Sequence, residues 1–143
     1  MKHFLQETDI PVEDLDGLFS RAARMKQQRG RVGADVLDRQ SWGLMFFKKS
    51  TRTRVSFHVG VAELGGTPVT LNADDLQISR GETVSDTARV LSRYLHGLVI
   101  RCFEHKLLED FASTGTIPIV NALSDFLHPC QLYSDVFTLA ERW

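Results

Sequence analysis

Residues 41–64 read Ser-Trp-Gly-Leu-Met-Phe-Phe-Lys-Lys-Ser-Thr-Arg-Thr-Arg-Val-Ser-Phe-His-Val-Gly-Val-Ala-Glu-Leu, and their reading decides the fold. Ser41 to Phe47 is a short, mostly apolar run, the signature of a strand. Lys48-Lys49-Ser50 then leads into a helix over about Thr51 to Leu64. Its apolar residues form two rows, Val55/Val59/Ala62 and Phe57/Val61/Leu64, which predicts burial on more than one side. Gly65-Gly66 closes the helix as a C-terminal breaker. A strand running directly into a helix is the repeating unit of a parallel α/β sheet.

The same alternation continues in both directions. Upstream, Val12 to Gln28 reads as a helix with Pro11 suited to its start. Leu15, Leu18, Phe19, Ala22 and Met25 recur at helical spacing and predict one buried stripe, broken at Arg29-Gly30-Arg31. Downstream, Thr67 to Leu71 is a second strand, and Asn72 to Glu82, polar and containing Gly81, reads as a loop. Thr83 to Tyr94 is a helix with Val84, Ala88, Leu91 and Leu95 on one face. Gly97 to Arg101 is a third strand, Glu104 to Ser113 a helix, Ile117 to Ala122 a fourth strand, and Pro129 to Glu141 a last helix. The expectation is an α/β fold, a doubly wound parallel four-stranded sheet with right-handed crossovers and helices on both faces, forming one domain over residues 1–143.

Composition excludes several classes. Of 143 residues, 43% are hydrophobic and 24% charged, ordinary for a soluble domain. A net charge of −1 gives no broad field for nucleic acid or an anionic membrane, so any anion must be held by locally placed donors. Cys102 and Cys130 form no CxxC, and the five histidines form no HxxxH or HxH, so neither a disulfide framework nor a metal site is expected. No apolar run approaches the ~20 residues of a membrane span. The start resembles no signal peptide. A cytoplasmic protein is the expectation.

In a doubly wound sheet, ligands bind beyond the carboxyl ends of the strands. That rule selects the turn after Phe47, Arg101, and the loop before Pro129. Ser50-Thr51-Arg52-Thr53-Arg54 enters a helix, whose first turn offers free N–H groups and the positive dipole end. Hydroxyls and guanidinium groups there suit a phosphate. A Ser50 cap flanked by solvated Thr and Arg side chains is the alternative. Arg101 alone reads as a surface arginine ending a buried strand, and it gains weight as a site residue from falling on the same edge of the sheet as Ser50. His128-Pro129-Cys130-Gln131 opens the last helix with proline in its first position. His128 can donate a hydrogen bond to a substrate oxygen, or simply pack in the loop. Gln131 offers both a donor and an acceptor. Cys130 lacks a histidine–acid pair and reads as a packing residue.

Taken together, these segments resemble the aspartate and ornithine carbamoyltransferases. The resemblance rests on Phe46-Phe47-Lys48-Lys49-Ser50-Thr51-Arg52-Thr53-Arg54-Val55-Ser56-Phe57, Leu76-Gln77-Ile78-Ser79-Arg80-Gly81-Glu82, Asp86-Thr87-Ala88-Arg89-Val90-Leu91-Ser92-Arg93-Tyr94 and His128-Pro129-Cys130-Gln131, in that order. It covers about Val12 to Leu139. It implies a carbamoyl-phosphate-binding domain in which Ser50, Thr51, Arg52 and Thr53 hold the phosphate. Arg101 and His128 join Thr53 at the carbamoyl oxygen, and Gln131 lies near the carbamoyl nitrogen. Gln77 implies a reach to the ligand of a neighbouring subunit in a homotrimer. Gln77, the Arg80-Gly81-Glu82 stretch and the cysteine of His128-Pro129-Cys130-Gln131 favour the ornithine branch. Lys49, where proline is common, and Leu132-Tyr133-Ser134-Asp135, where Ala-Leu-Ala-Asp is usual, depart from the pattern and leave room for another acceptor, such as aspartate or a modified ornithine.

The reaction so implied is transfer of the carbamoyl group of carbamoyl phosphate to ornithine, without metal or cofactor. The family's chain is about twice this long. Its second domain supplies an Ser-Met-Gly loop and a His-Cys-Leu-Pro motif, and neither occurs here. The expectation is therefore half of such an enzyme, a fragment or an isolated domain that binds carbamoyl phosphate weakly and makes no citrulline alone. A non-catalytic anion-binding or assembly module is the reading from a different class.

Overall fold

The computed structural model describes residues 3–29 and 35–143. Four parallel strands, β1 (Ser41–Phe46), β2 (Thr67–Asn72), β3 (Gly97–Arg101) and β4 (Ile119–Leu123), lie in the order β2-β1-β3-β4. The chain steps from β1 outward to β2, then back across β1 to β3. The strand order therefore reverses between β1 and β3, the switch point of a doubly wound sheet. Among the described residues five α-helices accompany them: α1 (Leu15–Gln28), α2 (Arg52–Glu63), α3 (Val84–Leu91), α4 (His105–Thr114) and α5 (Pro129–Arg142).

Side chains alternate across the strands, and each face has its own core. Met45, Leu98, Ile100 and Ile119 pack with Ala88 and Leu95 at α3 and Leu108 and Phe111 of α4. Leu44, Phe46, Val99 and Ala122 pack with Val61 of α2 on the opposite face. Gly43 lies where a Cβ would come within 2.6 Å of Leu95 and Leu98, so only a bare backbone lets these residues close over β1. Pro68 is tolerated because β2 is an edge strand. Gly65, at φ 85°, turns the chain out of α2, and the Gly66 N–H returns to the Val61 carbonyl (2.9 Å).

Several expectations are corrected. The stripe on α1 is not buried: no residue of α1 is fully enclosed and Met25 is exposed. Its partner is another helix, with Phe19 stacked on Phe137 of α5 at 5.8 Å and Lys26 bonded to Glu141 at 2.7 Å. The expected break at Gly30-Arg31 lies outside the described residues. Only one row of α2 is covered. Val61 is buried and Phe57 and Leu64 half-buried, whereas Val55 is 55% exposed and Ala62 exposed, because the sheet lies beneath one side of the helix only.

α3 stops at Leu91 rather than Tyr94. There the Ser92 hydroxyl donates to the Ala88 carbonyl (2.6 Å) and competes with the helical ladder. The segment read as a polar loop contains two 3₁₀ turns, Ala73–Asp75 and Gln77–Arg80, closed by Gly81 at φ 100°; Leu76 and Ile78 dip into the α3–α4 core. Beyond β4, Phe4 forms an unanticipated parallel bridge with Val120, donating to the Ile119 carbonyl and accepting from the Asn121 N–H, both at 2.8 Å.

Candidate functional site

The three segments singled out in the sequence meet in one cleft of about 570 Å³ at the carboxyl rim, over the β1/β3 switch point. Ser50, Thr51, Arg52 and Thr53 come from the β1–α2 turn, Arg101 from the end of β3, and His128, Cys130 and Gln131 from the start of α5. Lys49, Arg52 and Arg101 supply three cations, and no carboxylate is among the described residues lining it.

The turn is built as a helix entrance. α2 begins at Arg52 with Thr51 in the cap position, yet the capping hydroxyl belongs to Ser50, which accepts from the Thr53 N–H at 3.2 Å. The other first-turn N–H groups are the free donors that every helix start presents. Arg101 reaches across from β3, and its Nη1 donates to the Thr53 hydroxyl at 2.8 Å. This bond fixes the guanidinium against the helix start. Arg54 does not line the cleft. It stacks on Phe46 (4.8 Å) and donates to Asn72 Oδ1 at 2.9 Å.

Two buried polar atoms of the cleft residues, Arg101 Nε and His128 Nδ1, have no hydrogen-bond partner among the described residues. Leaving such an atom unsatisfied costs about 1–3 kcal/mol, and both belong to residues that line the cleft. Burial holds the His128 ring below the ordinary histidine range, and the Arg101 charge pushes the same way, against Asp135. The ring is thus neutral near pH 7, able to donate from one nitrogen and accept at the other. Burial raises the Cys130 thiol to about 11, and its Sγ donates to the Asn121 carbonyl at 3.4 Å. Cys130 is a protonated packing residue, as its sequence setting suggests. Gln131 lines the cleft but is exposed, with Nε2 bonded to Asp135 Oδ1 at 2.8 Å.

Gln77 does not join this group. It lies exposed on the second 3₁₀ turn after β2 and does not line the cleft. Conversely, Ser56, Phe57, Leu123 and Ser134 line it without having been singled out. Helical spacing was the available signal for two of them. Ser56 stands three residues beyond Thr53, and Ser134 three beyond Gln131, on the same helix faces. Among the described residues no group of three or more His, Cys, Asp or Glu side chains gathers that could hold a metal ion, and no helix is long and apolar enough to cross a membrane.

In chemical terms the cleft can hold a tetrahedral dianion on the N–H groups and hydroxyls of the turn, clamped by Arg52 and Arg101. An oxygen placed in the cleft beside Arg101 and the His128 ring would meet donors already in position as it gained charge.

Comparison with known proteins finds relatives over nearly the whole chain. Residues 2–141 match the family described as "Aspartate/ornithine carbamoyltransferase, carbamoyl-P binding domain". The ornithine carbamoyltransferase of Methanocorpusculum labreanum is 47% identical over 143 residues, covering 99% of this chain and 47% of that protein. Two solved structures superpose with a TM-score of 0.92 over 99% of this chain. They are the ornithine carbamoyltransferases of Burkholderia thailandensis, at 36% identity and 49% of its length, and of Pyrococcus furiosus, at 42% and 45%. The chain spans about half the length of the relatives it matches.

Proposed function

The chain belongs to the aspartate/ornithine carbamoyltransferase family, matching its carbamoyl-phosphate-binding domain, and from that premise we propose that it is the carbamoyl-phosphate half of an ornithine carbamoyltransferase. The observation that carries the proposal is the convergence of Arg101 and His128 with the hydroxyl and guanidinium groups of the α2 start in one cleft whose described lining holds no carboxylate. The phosphate sits on Ser50, Thr51, Arg52 and Thr53. The carbamoyl oxygen faces Arg101, His128 and the Thr53 hydroxyl, and the carbamoyl nitrogen lies toward Gln131. Residues 1–143 act as one domain, and the acceptor is held by chain beyond it, as the double length of the relatives supports.

The amine nitrogen of ornithine attacks the carbonyl carbon. Negative charge collects on the carbonyl oxygen, where Arg101 and His128 donate. The bond from carbon to the phosphate oxygen then breaks, phosphate leaves with the electron pair and takes up the proton shed by the amine, giving citrulline. Positioning and preorganised donors suffice for this step, with no covalent enzyme intermediate. Gln77 serves the cleft of a neighbouring copy in a homotrimer, a reading supported by its exposure and its absence from the lining of its own cleft. The protein works in the cytoplasm.

Calorimetric titration of the chain with carbamoyl phosphate tests the binding half of this reading. One site per chain, competed by inorganic phosphate, is expected. Absence of heat at millimolar ligand, or binding untouched by phosphate, overturns it. The chain alone is expected to release no citrulline from carbamoyl phosphate and ornithine.

A further inference from the structure

Among the described residues the His128 ring has no hydrogen-bond partner that would aim it: it caps no N–H of α5, and Nδ1 is buried without a partner. Its place in the cleft is therefore set by the backbone that delivers it and by packing. That backbone is gripped one residue upstream by two buried polar side chains. Asn121, wholly enclosed on β4, donates from Nδ2 to the Leu127 carbonyl (3.3 Å) and the Leu5 carbonyl (2.9 Å), and its Oδ1 accepts from the Leu123 N–H (2.9 Å). Ser124, also buried, accepts at Oγ from the Leu127 N–H (3.1 Å) and the Phe126 N–H (3.3 Å). Its own N–H donates to the Leu127 carbonyl at 2.9 Å. Both backbone groups of Leu127 are thus held. Cys130, in the first turn of α5, ties back to the Asn121 carbonyl at 3.4 Å, so the chain on either side of His128 is anchored to the same strand residue.

We propose that Asn121 and Ser124 are positioning residues, a clamp on Leu127 that presents the His128 imidazole unpartnered to the ligand cleft. The ligand half of this statement rests on the carbamoyl-phosphate reading, whereas the clamp is readable without ligand. A buried asparagine that satisfies loop backbone would serve stability alone if its effect on binding did not pass through His128, and a double-mutant cycle separates the two roles.

The variants are Asn121→Ala, Ser124→Ala and His128→Ala, with Asn121→Ala and Ser124→Ala each also made in the His128→Ala background. The ring titration of His128 is followed by NMR in the ligand-free chain, with thermal melts confirming folding. The wild-type midpoint is expected below the ordinary 6.5, and either clamp variant moves it up toward that value as the ring gains water, with Arg101 and Asp135 still in place. Carbamoyl-phosphate affinity is expected to fall about 5–10-fold in Asn121→Ala and about 2–3-fold in Ser124→Ala, but by less than about twofold for either in the His128→Ala background. An unchanged ring titration in a folded variant overturns the clamp, as does an equal affinity loss with and without His128. If Asn121→Ala does not fold, Ser124→Ala carries the same test alone. A chain that shows the ring shift yet binds no carbamoyl phosphate keeps the clamp and loses the ligand reading.

Discussion

Two polar segments follow neighbouring parallel strands in this molecule, and their surroundings differ: the first meets β3 and the start of α5 in one cleft, the second lies beside the β1–α2 turn. After β1, residues 48–53 bring Ser50, Arg52 and Thr53 against Arg101 of β3 and His128 of α5. After β2, residues 73–82 form two 3₁₀ turns that leave Gln77 exposed. Polarity does not distinguish them. Position in the sheet does: β1 is central and adjoins β3 at the reversal of strand order, so donors from separate segments converge there, while β2 is an edge. On that edge segment Gln77 faces outward, while Leu76 and Ile78 beside it turn into the α3–α4 core.

The largest effect that tests this contrast is on catalysis. In a protein of the relatives' length carrying this half, Arg101→Ala is expected to lower kcat on the order of 10²-fold or more, because a donor is removed from the oxygen that gains charge. Steady-state citrulline formation reads it, and a near-normal rate would remove Arg101 from that role. His128→Ala is expected to act in the same direction. Next, Arg52→Ala should weaken phosphate binding by this chain about tenfold, the worth of one hydrogen bond to a charged group. Calorimetry reads it, and unchanged affinity would move the anion off the helix start.

A smaller effect concerns pH. The folded state holds His128 below its ordinary value. Well above pH 6.5 both folded and unfolded rings are neutral and contribute no slope. As pH falls from there toward the folded midpoint, the unfolded chain takes up the proton first and stability declines. His128→Gln should flatten that part of the denaturation profile, and a slope that survives the substitution assigns it to another group. The smallest effect is expected at Gln77. In dilute solution, where copies stay apart, Gln77→Ala should change phosphate affinity less than about twofold, since it lies outside its own cleft. A difference that grows with protein concentration would sharpen the contrast by placing the edge segment at a neighbour's site. A large loss in the separated chain would break it.

What could be read from the sequence follows the same division. Gly97–Arg101 shows its bounds because a continuous apolar run ends in one charge, and β1 is nearly as clear. The rim residues were legible because helix starts and strand ends carry local signals in proline, serine and charge. Burial was less legible. The two apolar rows of α2 look alike in sequence, and only the placement of the sheet decides that Val61 is covered and Val55 open. The stripe on α1 meets α5 from far along the chain, and the Phe4–Val120 bridge joins residues 116 apart. No local pattern announces either. Asn121 and Ser124 were passed over for a related reason. Their partners are backbone groups of a loop whose path exists only once β4 and α5 are in place.

The central claim is convergence, and one NMR titration with carbamoyl phosphate tests it by following the first-turn amides of α2, the Arg101 Nε–H and the His128 ring in the same sample. All three are expected to move with a single common Kd while the amides of residues 73–82 stay still. Movement of the α2 amides alone, or different midpoints for the three reporters, would contradict it.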